Sequence, residues 1–268
     1  MKKKLIILTG PTAVGKTDLS IRLARTVGGE IISADSMQVY RRMDIGTAKI
    51  RPEEMDGVRH HLIDILEPTE SFNAFLFKEY ALKAANEIWE RGSIPIIVGG
   101  TGFYIQTILY DIEFAKSDEN DGIRDELNKL YEEHGAAFLH DMLAKVDPEY
   151  AAEVHENNVK KVIRAIEFYR QTGHKLSEHN TEQRERTSPY NFEYFVLSDD
   201  RTVLYERIDK RIDGMVEAGL IAEVQALLDE GVDRRSVAMQ GLGYKEIASY
   251  LAGEISLDEA IYILKRDT

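Results

Sequence analysis

The sequence predicts an open α/β fold, a mostly parallel sheet flanked by helices, with an all-helical insertion between two of its core strands. Three observations carry the prediction. Short apolar runs alternate with segments whose apolar residues recur at helical spacing, the pattern of strands joined by crossover helices. Glycine-rich turns end the first and third of those runs, at Gly10 and at Gly99-Gly100-Thr101-Gly102. Between Ala115 and Thr187 only helical periodicity remains. The 268 residues fit one large or two modest domains, against a typical ~150 residues each. The division expected is a discontinuous core, 1–114 and 188–268, interrupted by the insertion 115–187.

Leu5-Ile6-Ile7-Leu8 is a short apolar run suited to a strand buried on both faces. It stops at Gly10, and Leu19, Leu23 and Val27 then mark the first helix. Residues 30–33 read as a second strand, 74–91 as a helix whose end carries the core residue Trp89, and 94–98 as a third strand. A fourth, 190–197, returns after the insertion, which itself reads as helices over 124–134, 136–145, 148–154 and 158–172. From Thr202 on, Val203, Leu204, Ile208, Ile212, Met215 and Val216 mark one long amphipathic helix. In such sheets the glycine-terminated strand ends share the edge where ligands bind.

Composition narrows the function classes. With 43% hydrophobic and 30% charged residues the chain can bury a sizeable core. A formal net charge of −13 argues against a generally basic nucleic-acid coat, because sequence-independent phosphate binding needs a positive field. A local basic groove remains compatible with it. The absence of cysteine excludes disulfides, thiolate nucleophiles and thiolate zinc sites, and it fits a reducing compartment. No apolar run approaches the ~18 residues of a membrane span. Met1-Lys2-Lys3-Lys4 reads as the lead into a buried strand rather than a leader, because Gly10-Pro11-Thr12 interrupts the apolar stretch. A cytoplasmic location without a membrane partner is expected.

The strongest chemical signal is Gly10-Pro11-Thr12-Ala13-Val14-Gly15-Lys16-Thr17, which fits G-x-x-x-x-G-K-[ST] between a strand and a helix. The glycines permit a tight turn that aims successive N–H groups at phosphate oxygens. The helix that follows adds the positive end of its dipole. Lys16 supplies a mobile cation to the outer phosphate, and the Thr17 hydroxyl is placed to ligate Mg²⁺. The loop predicts polyphosphate binding in a P-loop NTPase-like core; nothing in it specifies ATP.

Ser33-Ala34-Asp35-Ser36 ends the second strand, so Asp35 should emerge on the same sheet edge. A carboxylate beside a polyphosphate suits metal binding or proton abstraction, and Asp-Ser is equally ordinary turn chemistry. Met37-Gln38-Val39-Tyr40 offers an amide and an aromatic ring, fit for a base or for packing. Arg207 and Arg211 stand i, i+4 on one helix face and could clamp a departing phosphate, or could pair with Glu206, Asp209 and Asp213. His60-His61 lacks a third ligand at metal spacing. Lys160, Lys161, Arg164 and Arg170 lie along one helical segment, suited to a nucleic-acid backbone or to solvent. From these residues alone the chain reads as a P-loop phosphotransferase, most simply a small-molecule kinase. The long, acidic helical insertion sits poorly with that reading.

Longer motifs point further. Gly10 to Thr17, Asp35-Ser-Met-Gln-Val-Tyr40, Met43-Asp-Ile-Gly-Thr-Ala-Lys49 and His60-His-Leu-Ile-Asp-Ile65 occur in this order. They are followed by Val98-Gly-Gly-Thr-Gly-Phe-Tyr104, Val162-Ile-Arg-Ala-Ile-Glu167, Gly219-Leu-Ile-Ala-Glu-Val224 and Gly241-Leu-Gly-Tyr244. Together, across the whole chain, they resemble the bacterial tRNA dimethylallyltransferase family.

The resemblance implies transfer of a dimethylallyl group from dimethylallyl diphosphate to the exocyclic N6 of the adenosine beside the tRNA anticodon, with release of pyrophosphate. It implies that Asp35 is the general base, that Arg211 stabilises the leaving pyrophosphate with Lys16, and that Thr12 through Thr17 bind the donor. It further implies tRNA contacts at Asp35, Ser36, Met37, Gln38, Thr101, Arg124, Val159, Lys160, Lys161, Val162 and Ile163, with the insertion gripping the anticodon stem-loop. Mg²⁺ on Thr17 is the implied cofactor, and one chain suffices for a monomeric enzyme. Two positions depart from the family pattern. Glu156 stands where proline is common and Lys161 where arginine is frequent, and lysine cannot form the two-point guanidinium fork. Members usually continue beyond Lys265-Arg266 into a basic segment and a further helix, so the natural protein is expected to be longer and less acidic.

Overall fold

The computed structural model describes residues 2–114 and 122–268. These fall into two compact units, Met1–Leu109 with Pro189–Thr268, and Tyr110–Ser188. The insertion start expected at Ala115 lies outside the described residues.

The first unit is built on five strands, β1 (Lys4–Thr9), β2 (Gly29–Ser33), β3 (His60–His61), β4 (Ile94–Gly99) and β5 (Asn191–Val196). They lie in the order β3-β2-β4-β1-β5, and every pairing is parallel. The apolar runs explain the central positions. Leu5, Ile7, Leu8, Ile31, Ile32, Ile96 and Ile97 are buried, as strands covered by helices on both faces require. The two-residue β3 pairs with β2, Ile31 opposite His60 and Ile32 opposite His61. Two histidines carry no apolar strand pattern of their own, and the pairing with β2 supplies the strand.

Helix α1 (Lys16–Val27) follows β1 directly; α2 (Ala74–Glu90) precedes β4, and α3 (Gly102–Leu109) follows it. Ile21 and Ala24 of α1 pack with Ile31, Ile50, Val58 and Ile96 in one buried cluster. Trp89, expected in the core, is half-buried instead. Its indole N–H donates to the Lys4 carbonyl at 2.7 Å while its ring stacks on Tyr190, so it fastens helix α2 to the sheet's start.

The second unit is helical throughout its assigned elements: α4 (Ile123–Val146), α5 (Pro148–Glu153), α6 (Val159–Thr172) and α7 (Leu176–Arg184). Helix α4 is broken at Gly135, whose φ of 83° and ψ of 179° are not helical, which agrees with two helices meeting there. Leu127, Leu139, Leu143, Val162, Ile163 and Ile166 form its core. Asp147 joins two of the helices: it caps α5 through Tyr150 N and accepts from Ser177 N and Oγ at 2.9 and 2.7 Å. Helix α7 was not anticipated, since Leu176-Ser-Glu-His-Asn-Thr-Glu-Gln-Arg184 has almost no apolar periodicity.

Back in the first unit, α8 (Arg201–Glu217), α9 (Leu220–Asp229), α10 (Tyr244–Leu251) and α11 (Leu257–Asp267) complete the chain. Leu204, Ile208 and Ile212 form the buried stripe of α8, and Arg207 and Arg211 run beside it one residue earlier in each turn.

One close approach fixes the site's edge. A Cβ on Gly99, at the end of β4, would stand 2.6 Å from the Ala34 carbonyl oxygen, just before Asp35. The obstacle is backbone and cannot rotate away. Gly99→Ala is therefore expected to cost about 1–3 kcal/mol, as other overpacking changes do. Urea denaturation of the two proteins should give a lower midpoint for the variant with an unchanged slope.

Candidate active site

Because the sheet is parallel, β1, β2 and β4 all end on one edge, and each delivers a functional segment there. Thr9 of β1 stands level with Gly99 of β4, and Ser33 of β2 with Val98. The result is a cleft of about 710 Å³ lined by the loop 12–17, by 35–38, by 46–48, by Thr101, and by Ile208, Arg211 and 240–243. All of these residues belong to the first unit.

The loop after β1 takes backbone conformations its glycines allow. Gly10 has φ 149°, and a Cβ there would meet the Leu197 carbonyl oxygen at 2.6 Å; Gly15 has φ 94°. No side chain caps the N-terminus of α1, so its first-turn N–H groups remain available to an anion. Lys16 Nζ donates to the carbonyls of Gly10 and Pro11 at 2.8 and 2.7 Å. That leaves one of its three protons for a ligand. Thr17 lies exposed in the first helical turn, and its carbonyl accepts from Ser20 Oγ at 2.7 Å.

Asp35 makes the turn that is one of its two sequence readings. Its Oδ1 accepts from Met37 N at 2.8 Å and from Gln38 N at 3.2 Å, a turn that leaves Oδ2 for chemistry. Gln38 is held by its amide: Nε2 donates to the Thr47 carbonyl at 3.2 Å, and Ser33 Oγ stands 3.4 Å from Oε1.

Electrostatics tie Asp35, Lys16 and Arg211 together. Burial lowers the Lys16 pKa, the Arg211 charge lowers it further, and Asp35 partly offsets both. Burial likewise lowers Arg211, against the opposing pull of Asp35. Two cations and one carboxylate thus share a partly desolvated cleft, an arrangement completed by a multiply charged anion. Arg207 has a different task. It pairs with Asp199 at 2.9 Å and reaches towards the Ala13 carbonyl at 3.5 Å, bracing the phosphate loop from outside. Tyr104, pushed up to about 12 chiefly by burial and next by Asp35, keeps its proton.

Ser36, Met37, Gln38 and Thr101 line the cleft with Asp35. Arg124, Val159, Lys160, Lys161, Val162 and Ile163 lie in the helical unit. There Arg124 forms an ion pair with Glu167, and Lys160, Lys161 and Arg164 are exposed on α6. Val162 and Ile163, expected at tRNA, are only 0% and 5% exposed and belong to the helical core. Their side chains pack within the helical unit, and Lys160, Lys161 and Arg164 are the exposed cations of this segment.

Three residues with structural parts in the site carried no chemical signal in the sequence. Glu223 accepts hydrogen bonds from the backbone N–H groups of Asp44, Ile45 and Gly46 at 2.9, 2.8 and 3.0 Å, and from the Tyr244 hydroxyl. Tyr244 is fully buried, and a Cβ on Gly46 would stand 2.6 Å from its ring. Lys49, with a side chain 4% exposed, spends all three protons on Tyr40 O, Asp44 Oδ1 and Asp64 Oδ1. Only the motifs that contain them, Met43 to Lys49, Gly219 to Val224 and Gly241 to Tyr244, hinted at a shared purpose.

Comparison with known proteins agrees with this geometry. Residues 38–268 match the family described as IPP transferase. The chain is 59% identical over 264 residues to the tRNA dimethylallyltransferase of Lachnoclostridium phytofermentans, covering 98% of this chain and 84% of that protein. It is 50% identical over 268 residues to the enzyme of the same name from Carboxydothermus hydrogenoformans, covering 100% and 86%. Among solved structures, the full-length tRNA isopentenylpyrophosphate transferase of Bacillus halodurans superposes with a TM-score of 0.73 at 47% identity, over 99% of this chain and 83% of that one. A eukaryotic dimethylallyltransferase acting on tRNA superposes with a TM-score of 0.86 at 32% identity, over 99% and 67%. A phosphate loop facing a carboxylate and an arginine across one cleft, in a chain this similar to those enzymes throughout, leaves one assignment: the protein belongs to the IPP transferase family.

Proposed function

We propose that this protein transfers the dimethylallyl group of dimethylallyl diphosphate to N6 of the adenosine on the 3′ side of the tRNA anticodon, releasing pyrophosphate and giving N6-isopentenyladenosine. The observation that carries the reading is the cleft in which the phosphate loop, Asp35 and Arg211 meet, within a chain of the IPP transferase family.

The diphosphate binds along residues 12–17 and the open start of α1, where Lys16 moves from the Gly10 and Pro11 carbonyls onto the outer phosphate. The allylic C–O bond breaks as N6 attacks the carbon, and both bonding electrons leave with the pyrophosphate oxygen. Lys16, Arg211 and the loop amides stabilise that developing charge. Asp35 takes the proton from the adenine amine, a weak nucleophile until it is lost. The base must leave its stack to reach the cleft. Lys160, Lys161 and Arg164 on α6 supply phosphate contacts to the RNA, as recognition of a folded RNA by backbone and shape requires.

The donor set fits Mg²⁺ held mainly by diphosphate oxygens. Thr17 offers an exposed hydroxyl in the first turn of α1, and the described residues contain no cluster of three or more acidic or imidazole ligands. When bound there, the ion supplies further neutralisation of the diphosphate. Loop, base and arginine all come from one chain, which supports a monomer. No helix among the described residues is long and apolar enough to cross a membrane, and a tRNA substrate supports a cytoplasmic location.

Incubation with Mg²⁺, dimethylallyl diphosphate and unmodified tRNA, followed by digestion and mass spectrometry, should give N6-isopentenyladenosine confined to the anticodon loop. An unmodified digest would overturn the assignment. Asp35→Asn keeps the turn-forming Oδ1 but loses the base, so turnover should fall about 10²–10⁴-fold with tRNA affinity retained. Full turnover by that variant would remove Asp35 from the mechanism.

Pyrophosphate binding offers a separate check on the cations. It needs charged Lys16, whose pKa lies below the ordinary lysine value, so affinity should fall with rising pH before an ordinary lysine would titrate. In Arg211→Gln the repelling charge is gone. Affinity at neutral pH should drop, the alkaline decline should move to higher pH, and the ligand-free protein should be no less stable. Calorimetric titration across pH and thermal denaturation would measure all three.

A further inference from the structure

Glu223 and Tyr244 lie outside the chemistry described above, yet they hold one wall of the cleft. The wall is the segment Gly46-Thr47-Ala48. Its approach turns through the successive N–H groups of Asp44, Ile45 and Gly46, all of which point at a single carboxylate 177–179 residues away in sequence. Consecutive backbone N–H groups converging in this way form an anion nest, and the nest is filled from within by Glu223. Tyr244 donates the fourth hydrogen bond to that carboxylate. Burial and the neighbouring Glu223 charge both push its pKa up, so the phenol stays a donor.

The consequence reaches Asp35. Directly after the nest, Thr47 turns its carbonyl to Gln38 Nε2, and its hydroxyl donates to Met43 O at 2.6 Å, which locks the turn. Gln38 in turn gives its backbone N–H to Asp35 Oδ1. An unbroken chain of contacts therefore runs from Glu223 through residues 44–47 and Gln38 to the carboxylate beside the phosphate loop. Lys49 pins the far end of the same segment. On the other side, Gly241 abuts Met37, where a Cβ would stand 2.6 Å from the sulfur. The motifs at 43–49, 219–224 and 241–244 are thus parts of one device.

We propose that Glu223 is a positioning residue for the transfer reaction: by filling the 44–46 nest it fixes Thr47, and through Thr47 the amide of Gln38 and the turn of Asp35 that present the acceptor base. The proposal rests on the transferase reading for its kinetic consequence, but the strut itself can be read without turnover. It separates two halves of the site. Phosphate-loop binding should not depend on Glu223, whereas presentation of the acceptor should.

The test compares Glu223→Gln, Glu223→Asp and Tyr244→Phe with the parent protein. Glutamine keeps the volume but loses the charge and sets N–H against N–H in the nest; aspartate keeps the charge but is one methylene too short to reach all three amides; Tyr244→Phe leaves the nest filled. Amide hydrogen exchange should accelerate at residues 44–46 in Glu223→Gln, less in Glu223→Asp, and little in Tyr244→Phe. With dimethylallyl diphosphate and tRNA, Glu223→Gln should lose about tenfold or more in kcat/KM for tRNA, roughly what removing a hydrogen bond to a charged group costs. Its pyrophosphate affinity should be unchanged, with Glu223→Asp partly restored. Unaltered exchange at 44–46, or unaltered tRNA kinetics despite faster exchange, would overturn the proposal. So would an equal loss of pyrophosphate binding, since that marks general unfolding. Exchange that shifts as expected in the variants of a parent protein that never prenylates tRNA would instead overturn the transferase reading and leave the strut standing.

Discussion

Parallel pairing is the constraint on which the functional cleft depends. A parallel sheet must send each strand back through a crossover, and so it collects the carboxyl ends of β1, β2 and β4 on one edge. The phosphate loop, Asp35 and Thr101 follow those three ends and could not meet in an antiparallel arrangement of the same strands. Close approach then sharpens the placement. Gly10 lets its loop pass the Leu197 carbonyl, and Gly99 lets β4 lie against the backbone of Ala34. The edge gives the groups proximity; the glycines set their distance.

Within that frame the cleft is organised around charge left without a full counterweight. Burial disfavours the charge of both Lys16 and Arg211, Arg211 lowers Lys16 further, and one carboxylate offsets both only in part. Partial burial of this kind strengthens every interaction with an incoming anion relative to water. In the proposed reaction it also sets a direction: a diphosphate would neutralise the cations first and leave Asp35 facing the acceptor.

What could be read from the sequence divides along the range of the interactions. The phosphate loop was legible because all its parts lie within eight consecutive residues between a strand and a helix. Asp35 was legible as a strand-end carboxylate, and Arg211 as one member of an i, i+4 pair that spacing alone could not tell from Arg207; the family resemblance singled it out, and the structure places Arg211 in the cleft and pairs Arg207 with Asp199. Glu223 was not legible as a functional group. Its partners are backbone amides far away in sequence, and a glutamate on an amphipathic helix is indistinguishable from a solvated one until the nest is seen. Helix α7 was missed because it carries almost no periodicity of its own, and the short strand at His60–His61 is likewise defined by its pairing with β2. Val162 and Ile163 were placed with the RNA-facing residues, but a helix rotates successive side chains by about 100°. Residues flanking a cationic face therefore turn inward.

The net charge of −13 is a poor guide to a protein proposed to bind two polyanions, because many of its cations are already committed. Lys49 sits between Asp44 and Asp64, Arg91 forks onto Glu30, Arg124 holds Glu167 and Arg207 holds Asp199. Such pairs contribute little field beyond their own contact. Among the described residues, Lys16, Arg211, Lys160, Lys161 and Arg164 form no ion pair. They are not the only described cations without an ion pair, but two of them lie in the phosphate cleft and three on the exposed face of α6. The field an approaching phosphate meets is set by these uncompensated charges within about a Debye length of ~8–10 Å, not by the sum over the chain. An acidic protein can therefore present a diphosphate site and an RNA-facing surface, while its surplus carboxylates keep the remaining surface from holding nucleic acid indiscriminately.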